Sequence, residues 1–245
     1  MIMIRKLFPF IILLCFSSVC AQISNAYYSV GEEAYKGGAE KMYQDIHDVM
    51  TRKNLQKCPK NEYFYVKLRI DRTGKPGLIQ DKRTKEFMQK SPCAYDYVIK
   101  TLGELHDWIP SKNVTLSDGT LYEFPFFPND LVGDNYKKDY NAKEQTEKAS
   151  YEGGTDAFRK ELAYLIGEYL ADLYKPEGVF ELSFTVNENG RASDFDIFPK
   201  SPSSEQFVKD INTITKRMKD KWTPAKFRGQ NISSRNVIKI RFRND

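Results

Sequence analysis

Asp194 and Asp196 lie two residues apart in a segment that reads as a β-strand, so both side chains are expected on one face. Two carboxyl groups placed in this way can act as a general acid and a general base. Strand surfaces carry such pairs routinely, however, and neither a nucleophile nor a histidine is evident nearby. We therefore interpret the pair as non-catalytic and predict a non-enzymatic protein that needs no cofactor.

Metal-ligating residues are scarce in this chain. It has two histidines, His47 and His106, and no pair of cysteines separated by two residues. His47 adjoins the apolar stripe of a predicted helix, and His106 lies two residues before Trp108. Packing or surface roles are expected for both histidines, and we predict no metal site.

The N-terminal segment has the features of an export signal. Arg5 and Lys6 precede a short apolar run at 7–16, and Val19 and Ala21 fit the positions before a cleavage site at Gln22. The run is about half of the ~20 residues that a membrane span needs. We predict a signal peptide over 1–21 and an exported mature chain. An uncleaved anchor and a lipoprotein acylated at Cys20 are the alternatives.

Removal of residues 1–21 changes the charge and the cysteine count. It takes away two of 38 basic residues and none of 33 acidic ones, which leaves a net charge of +3. Of the four cysteines, Cys58 and Cys93 remain, and an exported compartment permits a disulfide between them. Two free, buried thiols are the alternative.

A repeat organises the chain. Residues 35–46 read YKGGAEKMYQDI, and residues 151–162, 116 positions later, read YEGGTDAFRKEL. Both segments open a helix whose apolar residues fall at i, i+4, i+7 and i+8, the spacing of a core-facing stripe. These stripes are Met42, Ile46, Val49 and Met50 in the first copy, and Phe158, Leu162, Leu165 and Ile166 in the second.

The same offset relates two predicted hairpins. Apolar residues alternate over 64–70 and over 180–186, which indicates strands with one buried face. Gly74 and Gly190 follow at equivalent points and supply the positive φ that a tight turn requires. Second strands are expected near 76–82 and 191–198.

The later elements recur with slipped register. A second helix is predicted after each Lys-Ser-Pro, and each of these helices is expected to end at a Trp-x-Pro: Trp108 with Pro110, and Trp222 with Pro224. A last strand is predicted at 121–127 in the first copy and at 236–242 in the second.

These patterns predict an α+β fold made of two tandem domains, 35–128 and 151–245, each with two helices on a three-stranded antiparallel sheet. The charged linker at 129–150 has few large apolar residues. As a flexible coil it would span roughly 25 Å. A surface helix docked on a domain is the alternative.

The second copy resembles the TonB C-terminal domain family. The resemblance covers about 151–243 and rests on the order of its parts: an alternating strand, the Asn189-Gly190-Arg191 turn, a second strand, a helix, Trp222-x-Pro224-Ala225 and a last strand ending in Phe242. The first copy shares it mainly through the internal repeat. The resemblance implies a periplasmic location and docking on outer-membrane transporters, whose N-terminal peptide is added as a strand beside the last strand of the domain.

The family also implies a membrane anchor and a proline-rich spacer, and the predicted mature chain departs from it there. We therefore expect that the protein binds a partner, and we do not predict that it transmits energy.

The predicted last strands differ in their capacity to accept a partner strand. Pro125 lies inside the first and removes a backbone donor. The second has none, and its residues alternate between inward and outward positions. We predict that the second strand is the better acceptor. The alternative is that its charged residues only protect the exposed edge against aggregation. The predicted partner-binding strand consists of Val237, Ile238, Lys239, Ile240, Arg241 and Phe242.

Basic residues are concentrated at the C-terminal end of the chain. Residues 201–245 contain eleven lysines and arginines against four acidic residues. An acidic partner peptide or an anionic envelope polymer such as peptidoglycan would fit this excess, as would a solvated basic face. Nucleic acid does not fit an exported protein.

Overall fold

The computed structural model describes residues 26–28, 31–112, 119–175, 177–201, 203–218 and 221–242. The predicted signal peptide at 1–21 therefore lies outside the described residues. The fold is a mixed α+β fold with antiparallel sheets, so the predicted class is confirmed. Among the described helices, none has the length and apolar character that a bilayer crossing requires.

The first half of the chain forms a sheet of four strands with three helices. Its strands follow the order β1-β4-β2-β3, in which β1 is parallel to β4 and the other pairs are antiparallel. The elements are β1 (Ala26–Tyr27), α1 (Gly38–Arg52), β2 (Phe64–Ile70), β3 (Pro76–Leu78), α2 (Lys82–Lys90), α3 (Pro92–Leu102) and β4 (Thr120–Phe126).

The second half contains a three-stranded sheet in the order β11-β6-β7, all antiparallel, and a separate two-stranded hairpin of β9 and β10. Its elements are β5 (Ser150–Tyr151), α4 (Gly154–Leu170), β6 (Gly178–Val186), β7 (Ala192–Phe198), α5 (Ser204–Ile214), β8 (Trp222–Thr223), β9 (Ala225–Phe227), β10 (Gln230–Ile232) and β11 (Ser234–Phe242).

The helices α1 and α4 bury the stripes that their spacing predicts. Met42, Ile46, Val49 and Met50 of α1 are buried beneath the first sheet, and the corresponding residues of α4 are buried against the second. Helical periodicity of 3.6 residues places these side chains on one face, and the sheets cover that face.

Three details of the predicted layout are wrong. The first sheet has four strands because β1 adds to it, and the first half has an additional helix, α2, which Asp81 caps by accepting from the Thr84 backbone N–H. The tryptophans do not end helices. Five residues separate Leu102, the last residue of α3, from Trp108, and Trp222 lies in β8.

The tryptophans instead join the helix starts to the hairpin turns. Tyr35 forms a β-bridge with Trp108, and Tyr151 pairs with Trp222. A Cβ added at Gly190 would lie 2.2 Å from the carbonyl oxygen of Trp222, and Gly74 meets Trp108 in the same way at 2.7 Å. Both glycines have positive φ. Each turn is therefore restricted to glycine by its conformation and by the approach of the tryptophan backbone.

A disulfide joins Cys58 to Cys93 in the first half. It links the segment before β2 to the start of α3, where the backbone N–H groups of Cys93 and Ala94 both donate to the Glu62 carboxylate. The Cys58 N–H donates to the Asn129 side chain at 2.7 Å, so the link also contacts the segment that follows β4.

The segment 129–150 is packed against the first half, which differs from a flexible coil and from a docked α-helix. Leu131, Tyr140 and Ala142 are buried in the first apolar core. The carboxylate of Asp130 accepts a hydrogen bond from the Tyr140 hydroxyl and pairs with Arg228. These few apolar residues suffice to hold the segment because each one is almost completely enclosed.

Contacts between the halves are extensive. Ala225, Phe227 and Ile232 of the β9–β10 hairpin belong to the first apolar core, although they lie within the predicted second domain. The Phe227 ring stacks on Phe127 with centroids 4.1 Å apart. Lys67 of β2 points to three carboxylates, those of Glu123, Asp194 and Asp81, at 3.6–3.8 Å. The full chain is therefore the appropriate unit for experiments.

Candidate partner-binding edge

The strand β11 lies at an edge of the second sheet. It pairs with β6 along its whole length, from Ser234 opposite Val186 to Phe242 opposite Gly178, and no other described strand pairs with it. Its side chains alternate as predicted. Ile238 is buried, Ile240 and Phe242 pack against the second apolar core, and the side chains between them are exposed.

The backbone of Lys239 faces the open side of this edge. Its carbonyl oxygen accepts a hydrogen bond from Nε of Arg159 in α4 at 3.1 Å. In an antiparallel strand the N–H and C=O of one residue point to the same side, and successive residues alternate. The N–H of Lys239 therefore also faces outward, together with those of Val237 and Arg241, whereas Ile238 and Ile240 bond to β6.

A groove of about 480 Å³ runs between this edge and α4. Its floor is mostly apolar, and the helix contributes two small residues, Ala163 and Gly167, one turn apart. Unpaired backbone groups beside an apolar groove are the features by which sheets bind extended peptides. The lining consists of Arg159, Leu162, Ala163, Ile166 and Gly167 of α4 and of residues 239–242 of β11.

The rim of the groove is basic. Lys239 and Arg241 are exposed, and in the part of the chain that the structure describes neither forms a salt bridge. Arg159 pairs with Asp156 at 2.6 Å, so its charge is partly compensated. The rim would attract acidic side chains of a partner, although such an exposed pair contributes only ~0.2–1 kcal/mol.

The first half contains the corresponding contact between a helix and its last strand. Phe126 of β4 pairs with Phe64, and Ile240 of β11 pairs with Phe180, 116 residues beyond Phe64. Pro125 therefore corresponds to Lys239. The Tyr43 hydroxyl, 116 residues before Arg159, donates to the carbonyl oxygen of Pro125 at 2.6 Å. Pro125 thus lacks an N–H at an outward-facing position of its strand.

One end of the β4 edge is covered by β1, since Ala26 and Tyr27 pair with Thr120 and Leu121. Tyr27 contacts both halves. Its hydroxyl donates to Glu123 at 2.9 Å, its N–H donates to Asp196 at 3.1 Å, and its ring lies 3.3 Å from the Arg235 guanidinium. Burial, more than the neighbouring Glu123 carboxylate, raises the pKa of the Tyr27 hydroxyl well above its usual value.

The other end of the first half's edge is covered by the segment 129–150. The carbonyl oxygen of Leu131 lies 2.9 Å from Nδ1 of His47, and the His47 ring stacks on Tyr136. Tyr140 packs edge-on against Tyr43 with centroids 5.1 Å apart. His47 and Tyr43 correspond by the 116-residue offset to Ala163 and Arg159, which line the groove of the second half. The chain thus fills in its first half the position that it leaves open in its second.

The aspartate pair lies elsewhere, at the contact between the halves. Asp194 has a positive φ of 52° within an irregular stretch of β7, and its carboxylate is 3.7 Å from Nζ of Lys67. Asp196 is buried, pairs with Lys200 and accepts the Tyr27 N–H. Both carboxylates face cations, and the arrangement holds the halves together. His106 is exposed.

Several basic residues of the C-terminal part have partners within the chain. Lys221 pairs with Glu161, Arg228 pairs with Asp130, and Arg217 lies over the Tyr169 ring. Arg235 donates to Ser183 and to the carbonyl oxygen of Asp194. Much of the excess charge is therefore engaged in contacts within the chain.

Several residues of the edge were not singled out from the sequence. Arg159, Ala163 and Gly167 lie between the predicted core positions of α4. Gly167 was a detectable signal, since glycine in a helix interior costs about 1 kcal/mol relative to alanine. Tyr27 carries no pattern that links it to β4.

Comparison of the chain with protein-family models, with curated proteins and with solved structures finds no match.

Proposed function

We propose that this protein is a non-enzymatic interaction protein of the periplasm that binds an extended segment of a protein partner by strand addition to β11. The segment would belong to an outer-membrane transporter or another envelope component. This proposal takes up the resemblance to the TonB C-terminal domain family and the tandem arrangement of two such domains. The predicted export signal and the Cys58–Cys93 disulfide are compatible with that location.

The observation that carries the proposal is the contrast between the two edges. The edge of β4 is covered at one end by β1 and at the other by the segment 129–150, whereas β11 exposes outward-facing backbone groups beside a groove of about 480 Å³. Unpaired strand edges are usually blunted or covered in natural proteins. An edge that is uncovered and adjoins an apolar groove is suited to a partner.

The substitution Lys239→Pro tests the proposal in the full chain. It removes the outward N–H and copies Pro125 of the first half, and it leaves the bonds from Ile238 and Ile240 to β6 intact. Lys239→Gln is the matched control, since it removes the charge and keeps the N–H. Proteins crosslinked to the wild type in native envelopes would be identified, and capture by each variant would be compared.

Strand addition predicts that Lys239→Pro loses the captured protein and that Lys239→Gln retains most of it. Equal capture by both variants would overturn the proposal. Binding of the wild type to purified sacculi that depends on the basic C-terminal residues and survives Lys239→Pro would favour the alternative function, attachment to an anionic envelope polymer such as peptidoglycan.

A further inference from the structure

We infer that the groove between α4 and β11 selects a partner strand by one aromatic side chain that seats over Ala163 and Gly167 and is followed directly by an acidic residue. The inference rests on the proposed strand addition, because an added strand fixes which side chains enter the groove.

The helix α4 leaves open space beside β11. A Cβ placed at Gly167 would have no heavy atom within 4 Å, so the groove is open at this point. At the corresponding positions of α1, the chain has His47 and Thr51, which are larger than Ala163 and Gly167. The second half has thus lost side-chain volume on the helix face beside its edge strand.

Aromatic rings occupy the corresponding place in the first half. There the His47 ring stacks on Tyr136 with centroids 4.1 Å apart, and the Tyr43 ring contacts Tyr140. The position is filled with aromatic rings from the helix and from the segment 129–150. In the second half, helix residues at the same positions supply no ring, so the partner would provide it. Ring contacts contribute ~0.5–1.5 kcal/mol beyond their buried area.

Positive charge lies beside the positions that would flank the aromatic anchor. Successive side chains of a strand point to opposite faces of the sheet, so the residue after the aromatic anchor lies on the outer face. Lys239 and Arg241 point to that face, and cross-strand neighbours there are close enough to interact. An acidic residue directly after the anchor would therefore meet the basic rim.

The test uses blocked, fluorescein-labelled nonapeptides of alternating valine and threonine with a central phenylalanine followed by glutamate. Their dissociation constants for the full chain would be measured by fluorescence anisotropy. Replacing the phenylalanine by valine is expected to weaken binding about tenfold. Replacing the glutamate by glutamine is expected to weaken it roughly threefold at low salt, with less effect at high salt.

Gly167→Leu supplies the specific variant, because it fills the groove without altering β11. It should remove the preference for phenylalanine, so that the phenylalanine and valine probes bind with equal affinity. Thr51→Leu is the matched control, since Thr51 occupies the same position of α1 beside a covered edge, and it should change neither affinity.

The outcomes separate the two proposals. Equal binding of the phenylalanine and valine probes, with both sensitive to Lys239→Pro, would overturn the aromatic preference and leave strand addition standing. Binding of both probes that is insensitive to Lys239→Pro would contradict strand addition itself. Retention of the phenylalanine preference in Gly167→Leu would show that the anchor does not seat over this position.

Discussion

The last strands of the two halves, β4 and β11, have equivalent pairing partners on one side. They differ in how their other edge is covered. Each pairs along one side with a central strand, and each accepts a side-chain hydrogen bond from the preceding long helix, from Tyr43 in one case and from Arg159 in the other. The edge of β4 is then covered by two other segments of the chain. No described strand pairs with the outer edge of β11, and its C-terminal residues 239–242 border the groove beside α4.

The difference shows how one strand position can be used for stability or for binding. In the first half, Leu131 and Tyr140 of the covering segment 129–150 are almost completely buried. The disulfide links the segment before β2 to the start of α3. In the second half, the corresponding helix face has small residues and an arginine. An exposed edge carries a risk of aggregation, which the charges of Lys239 and Arg241 reduce.

The disulfide offers the largest test of this contrast. We expect Cys58→Ser combined with Cys93→Ser to lower the free energy of unfolding by about 4 kcal/mol, because the unfolded chain would no longer be constrained across 35 residues. Urea denaturation measures the total loss. Hydrogen exchange mass spectrometry should show faster exchange in 120–126 than in 234–242, and equal acceleration of both strands would contradict a local role.

The segment 129–150, which covers the edge of the first half, gives the next prediction. Leu131 is completely buried, so Leu131→Ala should cost about 3 kcal/mol through lost burial and a residual cavity. Thermal and urea unfolding would measure this loss. The exposed Leu173→Ala should change stability little, and a comparable loss there would show that burial is not the cause.

How far the sequence determines these features depends on the range of the interactions. The stripes of α1 and α4, both hairpin glycines and the alternation of β11 follow from local periodicity, and all were predictable. The addition of β1 to β4 was not, because two residues carry no periodic signal and their partners are 94 residues away. The packing of 129–150 was missed for a related reason: its few apolar residues are enclosed by distant segments.

The matched helix-to-strand hydrogen bonds provide a smaller test. Tyr43→Phe should cost about 1 kcal/mol, because the buried carbonyl of Pro125 would lose its partner where water has little access. Arg159→Met should cost less, since water can replace the bond to the exposed Lys239. Urea unfolding of both variants would measure the difference, and equal losses would refute the contrast in solvent access between the edges.

The two hairpin turns give the smallest effect and depend on pH. Asp71 accepts hydrogen bonds from the Thr73 hydroxyl and from the Thr73 and Lys75 N–H groups, and Asn187 accepts from the N–H groups of Asn189 and Arg191. The hydrogen bond from the Thr73 hydroxyl has the largest effect on the pKa of Asp71 and lowers it in the folded protein. The hydrogen bond from the Lys75 N–H lowers it further.

A lowered carboxyl pKa contributes stability above the pKa of the unfolded chain, and this contribution is lost as pH falls through the folded value. Acidification below pH ~4 should therefore loosen the first turn, while the second turn, which has an amide, stays unchanged. Amide chemical shifts across the pH range would report on both turns, and a parallel change in the second would exclude Asp71 as the cause.

The contacts of Tyr27 have a consequence for the order of folding. This residue lies near the start of the chain, yet its N–H bonds to Asp196, 169 residues later, and its ring packs on Arg235. Such distant contacts form slowly, because a long loop must close first. During synthesis from the N-terminus, β1 can pair with β4 once residue 121 is present, but its contacts with Asp196 and Arg235 must await the second half, so these contacts mark the completion of the fold.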